Sequence, residues 1–340
     1  MHKNNFDFLR LVFAVFVIIT HSYSISGIKE IDILSQLTNG QTALSYVGVR
    51  GFFIISGYLI FQSLQRSSSV GDYFWKRFLR LFPGLIVVLA LTVILCFFVY
   101  DGTFLSYLSN KSMLFYFPNN LSLYNLQFGI TGVLKGAAIN GSLWTIRYEF
   151  SFYLLISALF ILRDRNKVVN IILISMYCIM LMGKFYMFEK MGPIGSLIGN
   201  SMSVNLGLFF IGGSALAAIK IEHFKFKRLL LSLGLLFLVL SFYFSLFHIG
   251  QFIFLPVVVL LVGISSTKYL RSISDRFGDI SYGLYIYSFP IQVTLMYFYK
   301  LNYLQLMVFS IFLAVLFGFF SWHLIEKRAL EYKNIYKNRL

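Results

Sequence analysis

Apolar residues fall into ten long runs separated by short polar or charged connections, approximately 6–24, 44–64, 78–100, 143–162, 168–188, 201–218, 229–247, 251–265, 280–299 and 304–325. A helix needs about 20 mainly apolar residues to cross the hydrocarbon layer of a bilayer. The pattern therefore predicts an all-α, polytopic membrane helix bundle of about ten transmembrane helices. The eighth run is the weakest, being short and carrying Pro256. The first run has Asp7 and Arg10 near its start and no small-residue cleavage site after it, so it is expected to be a retained helix and not a signal peptide. No fixed period recurs along the chain, which excludes a solenoid. Residues 1–340 are expected to form a single transmembrane domain with no separate soluble domain.

Charge placement gives the runs a direction. With an even number of spans, both termini and alternate connections lie on one face, and the cytoplasmic face carries the excess of Lys and Arg. That face collects Lys3, Arg10, Arg66, Lys76, Arg77, Arg80, Arg163, Arg165, Lys167, Lys220, Lys225, Lys227, Arg228, Lys268, Arg271, Arg276, Lys327, Arg328, Lys333, Lys337 and Arg339, which is 21 of the 29 basic residues. The opposite connections hold Lys29, Lys111, Lys135, Lys184, Lys190 and Lys300, while Arg50 and Arg147 sit at helix ends facing that second side. Both termini are expected in the cytoplasm. The longest connection on the other side, 101–141, contains Asn119, Asn120, Asn125 and Asn140 and is placed to cover an extracytoplasmic opening.

Composition agrees. With 58% hydrophobic and 19% aromatic residues, the chain carries more apolar surface than a water-soluble core of this size hides. Its 12% charged residues are too sparse for disorder. The net charge of +16 would suggest nucleic acid in a soluble protein, but here it sorts between apolar runs as membrane topology, and no nucleic-acid partner is expected. Cys96 and Cys178 lie inside apolar runs, where a thiol behaves as a small hydrophobe.

Ionisable groups within spans are costly and usually face an interior cavity. Arg10 and His21 lie eleven residues apart, which leaves them about 20° apart around a helix axis and about 16 Å apart along it. Asp7, one turn before Arg10, is placed to pair with it. Arg50 opens the second span in Gly48-Val49-Arg50-Gly51-Phe52-Phe53-Ile54-Ile55-Ser56-Gly57, where it fits either an interfacial anchor or an anion-binding group. Gly51 and Gly57 let another helix or a ligand approach the backbone. Arg77 and Arg80 share a helical face at the cytoplasmic boundary. Paired guanidinium groups suit phosphate, and positive-inside anchoring accounts for them equally. In Ser142-Leu143-Trp144-Thr145-Ile146-Arg147-Tyr148-Glu149, Glu149 is the one acidic residue expected in the apolar zone, with Arg147 or His21 as its expected partner. Trp144 fits an interfacial belt as well as a ligand contact. Tyr282 and its neighbours in 280–290 bring several hydroxyls to the ninth span.

These motifs, in order along the whole chain, resemble the acyltransferase 3 family, multi-spanning bacterial membrane enzymes that O-acylate surface and secreted glycans. The resemblance rests on Arg10 and His21, Phe52 to Gly57, Arg77 with Arg80 and Pro83, Trp144 with Glu149, Ile280 to Tyr285 and Ser321 to Glu326. Two departures stand out. Relatives often have Tyr-Leu-Trp-His-x-Pro where this chain has Tyr285-Ile286-Tyr287-Ser288-Phe289-Pro290, and the family's final Glu-Lys/Arg-Pro is Glu326-Lys327-Arg328.

The resemblance implies an acyl-CoA, most simply acetyl-CoA, as co-substrate, with no permanently bound cofactor or metal. Its phosphates would lie on Arg77 and Arg80, His21 would act as general base, and Glu149 would orient it. Arg50 or Arg147 would stabilise the oxyanion, and Ser56 is a less favoured covalent carrier, since no nucleophile elbow is present. Arg10, Trp144 and Tyr282 complete the expected binding residues. The implied acceptor is a glycan or lipid-linked sugar, the setting the bacterial cytoplasmic membrane, and glycan-assembly proteins are possible partners. Two alternatives use the same residues: a transporter of a glycan or acylated metabolite, and a structural partner of a glycan-assembly complex.

Overall fold

The computed structural model describes residues 4–29, 31–187 and 190–335, and these are helical with no strand. Lys3, Lys337 and Arg339 of the basic tally, and Phe188 at the end of the fifth run, lie outside the described residues, as does the side chain of Arg271.

Each of the ten apolar runs coincides with a helix. The first is α1, Phe6–Ile25. A short α2, Ile33–Leu37, is capped by Asp32, whose side chain accepts from the Ser35 amide. The second run is α3, Leu44–Arg66. The third is α4, Val70–Phe97, which begins well before the apolar run because Ser69 caps it through the Asp72 amide. Two short helices, α5 at Phe104–Leu108 and α6 at Lys111–Leu121, organise the long connection. There the side chains of Asn119, Asn120 and Asn125 bond to Gln127 or to one another.

The fourth run is α7, Trp144–Ser157, extended by 3-10 turns into an apolar segment of 22 residues. The fifth is α8, Asn166–Met182. An additional helix, α9 at Gly192–Gly199, meets the sixth run, α10 at Met202–Ala218, with a bend of 49°. The seventh and eighth are α11, Lys227–Tyr243, and α12, Phe247–Ile264. The break between them falls earlier than the sequence pattern places it, because Ser245 takes a left-handed backbone, φ 58°, and ends α11. The residues lost from α11 lengthen α12, which becomes a full apolar helix despite Pro256. A ten-residue helix, α13 at Lys268–Phe277, leads to α14, Ser281–Tyr299. The tenth is α15, Tyr303–Ser321, opened by an Asn302–Gln305 capping box and continued by a π turn at Trp322–Glu326.

Among the described residues, seven helical segments are each long and apolar enough to cross a membrane, or eight if α9 and α10 form one bent span. The other two are α11, at 17 residues, and α14, which is long enough but rich in Tyr and Ser.

The centre of the bundle is the crossing of α3 with α10. A Cβ on Gly57 would lie 1.9 Å from the Phe210 carbonyl oxygen, and one on Gly213 would lie 2.2 Å from that of Ile54. Only glycine lets the two backbones touch in this way, and Ser214 adds a hydrogen bond from its hydroxyl to the Gly57 carbonyl at 2.9 Å. On its other side α3 runs antiparallel to α1. The Ser45 amide donates to Thr20 Oγ1 at 2.9 Å, Gly48 abuts Phe13 and Val17, and the Tyr58 ring lies 5.4 Å from Phe6. These contacts fix which level of α1 faces which level of α3, and so how far His21 lies from the site below.

Candidate active site

A cavity of about 650 Å³ opens between α1, α3, α4, α7, α14 and the segment after α15. Six of the ten sequence-nominated residues line it: Arg10, Ser56, Arg77, Arg80, Glu149 and Tyr282. Among the described residues its lining carries eight basic side chains against three acidic ones. Arg10, Lys76, Arg77 and Arg80 lie in the wall, and Arg66, Arg276, Lys327 and Lys333 come from helix ends. The acids are Asp7, Glu149 and Asp279.

The basic wall is built on the first turns of α4. Spacings of one, three and four residues put Lys76, Arg77 and Arg80 around one side of the helix. Lys76 is held at 2.6 Å by Asp72. The Arg77 guanidinium donates through Nη2 to Ser63 Oγ at 2.9 Å and lies over the Tyr73 and Tyr153 rings, 5.2 and 5.9 Å from their centroids. Its Nη1 is buried without a hydrogen-bond partner. A buried guanidinium donor left unused in a basic cavity is a fit for an anionic oxygen.

Arg80 donates to Asp279 Oδ2 at 2.6 Å, and Arg10 reaches the same oxygen at 3.2 Å. Ser281 donates to Oδ1 at 2.6 Å. One carboxylate thus ties α1 and α4 to the start of α14. Asp7 is also near Arg10, at 3.8 Å, as its spacing suggests. Burial alone would raise the Asp279 carboxyl, but Arg80 and Arg10 hold it below the usual carboxylate range. Tyr282 donates its hydroxyl to the Leu81 carbonyl at 2.8 Å and presents its ring 6.0 Å from the Arg80 guanidinium.

Deeper in, Glu149 accepts hydrogen bonds from Ser56 Oγ, at 3.0 Å, and from the Tyr153 hydroxyl. This corrects the expected partnership with Arg147 or His21. Residues two apart on a helix point about 200° apart, so Arg147 and Glu149 leave α7 on opposite sides. Arg147 donates to the Tyr148 hydroxyl at 2.8 Å and lies 4.7 Å from that ring's centroid. The innermost part is lined by Val49, Phe52, Thr145 and Tyr285, the last two joined by a hydroxyl hydrogen bond of 2.9 Å.

His21, Arg50, Trp144 and Arg147 are not among the lining residues. Tyr282 and Tyr285 line the cavity, and Phe289, one turn further along the same face of α14, meets the His21 ring edge-on at 5.4 Å between centroids. On α3, His21 is level with the first turn, beyond Val49. It therefore stands near the inner end of the cavity but outside its lining, against Phe289. Arg50 leaves α3 on another face, between Tyr46 and Phe209. The Trp144 ring packs edge-on against Tyr148 at 5.8 Å. Ser288, which replaces the relatives' histidine, is fully buried and donates to the Tyr285 carbonyl at 3.0 Å.

Asp279, Tyr153 and Ser63 escaped the reading of the sequence. Asp279 had a signal, an acidic residue two before a serine at a helix start. Tyr153 had one as well, four residues after Glu149. Neither spacing tells that the side chains converge on arginines of other helices. Glu326 is 1% exposed and accepts from Ser321 Oγ at 2.8 Å.

The fold and site thus define a polytopic helical membrane protein with a cavity lined mainly by basic side chains. A family model described as an acyltransferase domain matches residues 3–325, and the chain belongs to that family, acyltransferase 3. It is 29% identical over 342 aligned positions to an O-acetyl transferase of Shigella phage Sf6, with 97% of each chain covered. It is 33% identical over 169 positions to nodulation protein 10 of Rhizobium leguminosarum bv. viciae, covering 45% of this chain and 43% of the relative. No solved structure matches the chain.

Proposed function

We propose that the protein is a membrane O-acyltransferase that takes an acyl group from acyl-CoA, most simply acetyl-CoA, and delivers it to a hydroxyl of a surface or secreted glycan or its lipid-linked precursor. The observation that carries this reading is the basic cavity, whose eight basic side chains against three acidic ones match a donor bearing several phosphate charges. The O-acetyl transferase relative, similar over nearly the whole chain, supports the reaction class.

In this reading the chain is a single domain of about ten spans in the bacterial cytoplasmic membrane. Both termini and the cavity mouth face the cytoplasm, where the donor is made. Arg77 and Arg80, with Arg10, hold the phosphates, and the thioester arm runs inward past Ser56 and Glu149 towards Val49 and Tyr285. His21 acts as general base on the acceptor hydroxyl, which arrives from the opposite face. Imidazole titrates near neutrality, so it takes the hydroxyl proton as the new ester bond forms and returns it to the departing thiolate. The polar group formed by Ser56, Glu149 and Tyr153 suits the amides of a thioester arm, and Phe289 is the side chain that must turn aside for the two substrates to meet.

Mass spectrometry of cell-surface glycans from a deletion strain and its complemented control tests the proposal. A mass difference restored by complementation identifies the acyl group. Identical glycans in the two strains would overturn it.

A further inference from the structure

Arg50 lies near the start of α3, at the opposite end of the helix from Arg66, and is not among the residues lining the basic cavity although its neighbour Val49 is. Its guanidinium makes no hydrogen bond and no ion pair with any described residue. It sits instead beside two rings, 5.2 Å from the Tyr46 centroid and 5.6 Å from that of Phe209. Phe209 stacks on Phe252 at 4.8 Å, and the Lys184 ammonium lies 5.5 Å from the Phe252 centroid. Two cations, one from α3 and one from the π turn Gly183–Met187 that follows α8, thus flank one stacked aromatic pair, and no described acidic side chain pairs with either. Lys184 donates to the Gly199 carbonyl at 3.0 Å, leaving two of its three ammonium protons for other acceptors.

A cation within a membrane bundle is expensive unless an opposite charge or water meets it. The rings stabilise a guanidinium through its flat face but leave its in-plane N–H donors unused. Those donors match two oxygens of a phosphate, and an ammonium nearby matches a third. The apolar helix α9 ends at Gly199, the residue that Lys184 bonds, and exposes Ile194 and Leu197 along its length. A ligand that carries hydrocarbon next to its phosphate finds both halves of its chemistry here.

We propose that Arg50 and Lys184 form a second site, separate from the basic cavity, which binds the phosphate of a lipid in the membrane. The guanidinium contributes two directed hydrogen bonds and the ammonium a third. The lipid's chains lie along α9. This site is independent of the assignment of the donor cavity, since it shares no residue with the cavity lining.

The test is native mass spectrometry of the detergent-purified full chain titrated with phosphatidylglycerol, with uncharged diacylglycerol, or with phosphatidylglycerol in the presence of inorganic phosphate. Wild type is expected to retain phosphatidylglycerol at least about tenfold better than diacylglycerol, the ratio that one charge-assisted contact supplies. R50Q/K184Q is expected to lose that preference, and R50K, which keeps charge without the fork, to fall between. Elution at the wild-type position in size-exclusion chromatography establishes that each variant is folded. Equal retention of the two lipids by wild type, or an undiminished preference in a double variant that elutes as wild type, would overturn the site. Displacement of phosphatidylglycerol by equimolar inorganic phosphate would overturn the lipid assignment.

Discussion

Arg80 and Arg10, carried on different helices, converge on a single oxygen of Asp279, at 2.6 and 3.2 Å. The carboxylate holds two guanidinium groups in the cavity wall at fixed positions while their remaining donors stay available. Since Asp279 is only 12% exposed, the arrangement is tied to the packing of α1, α4 and α14.

D279N is therefore expected to raise the half-saturating acyl-CoA concentration and to destabilise the protein by about 3 kcal/mol, the cost of breaking a buried ion pair. The stability effect is pH-dependent with a defined sign. The folded-state carboxyl is held below its unfolded value by Arg80 and Arg10 despite burial, so its contribution is complete above the unfolded value, about pH 4, and fades as pH falls through the folded one. Thermal unfolding of wild type and D279N should differ by a constant amount above about pH 5 and converge in acid. Parallel curves down to the lowest pH would show that the pair does not act this way.

H21A is expected to reduce glycan acylation by about 10²- to 10⁴-fold, the range for loss of a general base, while the protein inserts and accumulates normally. Quantification of acyl groups per glycan repeat, against the level of tagged protein in the membrane, checks both halves. Retained acylation would remove His21 from the mechanism.

Arginine and lysine differ at a phosphate site because only the guanidinium offers a planar fork. R77Q/R80Q should raise the half-saturating acyl-CoA at least about tenfold, and R77K/R80K should recover only part of this. Initial rates over a range of acyl-CoA, with free CoA as competitor, separate binding from turnover. An unchanged half-saturation in both variants would leave the arginines as topology anchors.

G57A tests the fold independently of activity. Its methyl would come to 1.9 Å from the Phe210 carbonyl oxygen, so α3 and α10 must separate. Overpacking of this kind costs about 1–3 kcal/mol or more. A lowered unfolding temperature in detergent is expected for G57A, and a smaller lowering for G136A, where nothing lies within 4 Å and the cost is only that of placing an alanine at φ 79°.

The ten helices, the basic end of the bundle and six of the ten lining candidates were legible in the sequence, because lipid demands long apolar runs and charge is excluded from them. The same partition gave the expected helix directions, and helical spacing put Arg77 and Arg80 on a common face. What the sequence left undecided concerns relations between helices. The partners of Glu149 proved to be Tyr153 on its own helix and Ser56, 93 residues away, and not Arg147 or His21; for Arg147 the reason is that a helical step of two turns side chains apart. The role of Asp279 depended on α1 and α4 meeting the start of α14. The separation of Arg50 from the cavity depended on which face of α3 the glycine contact with α10 leaves available. Periodicity along one chain gives each residue a level and an azimuth, and only packing in three dimensions decides which azimuths face one another.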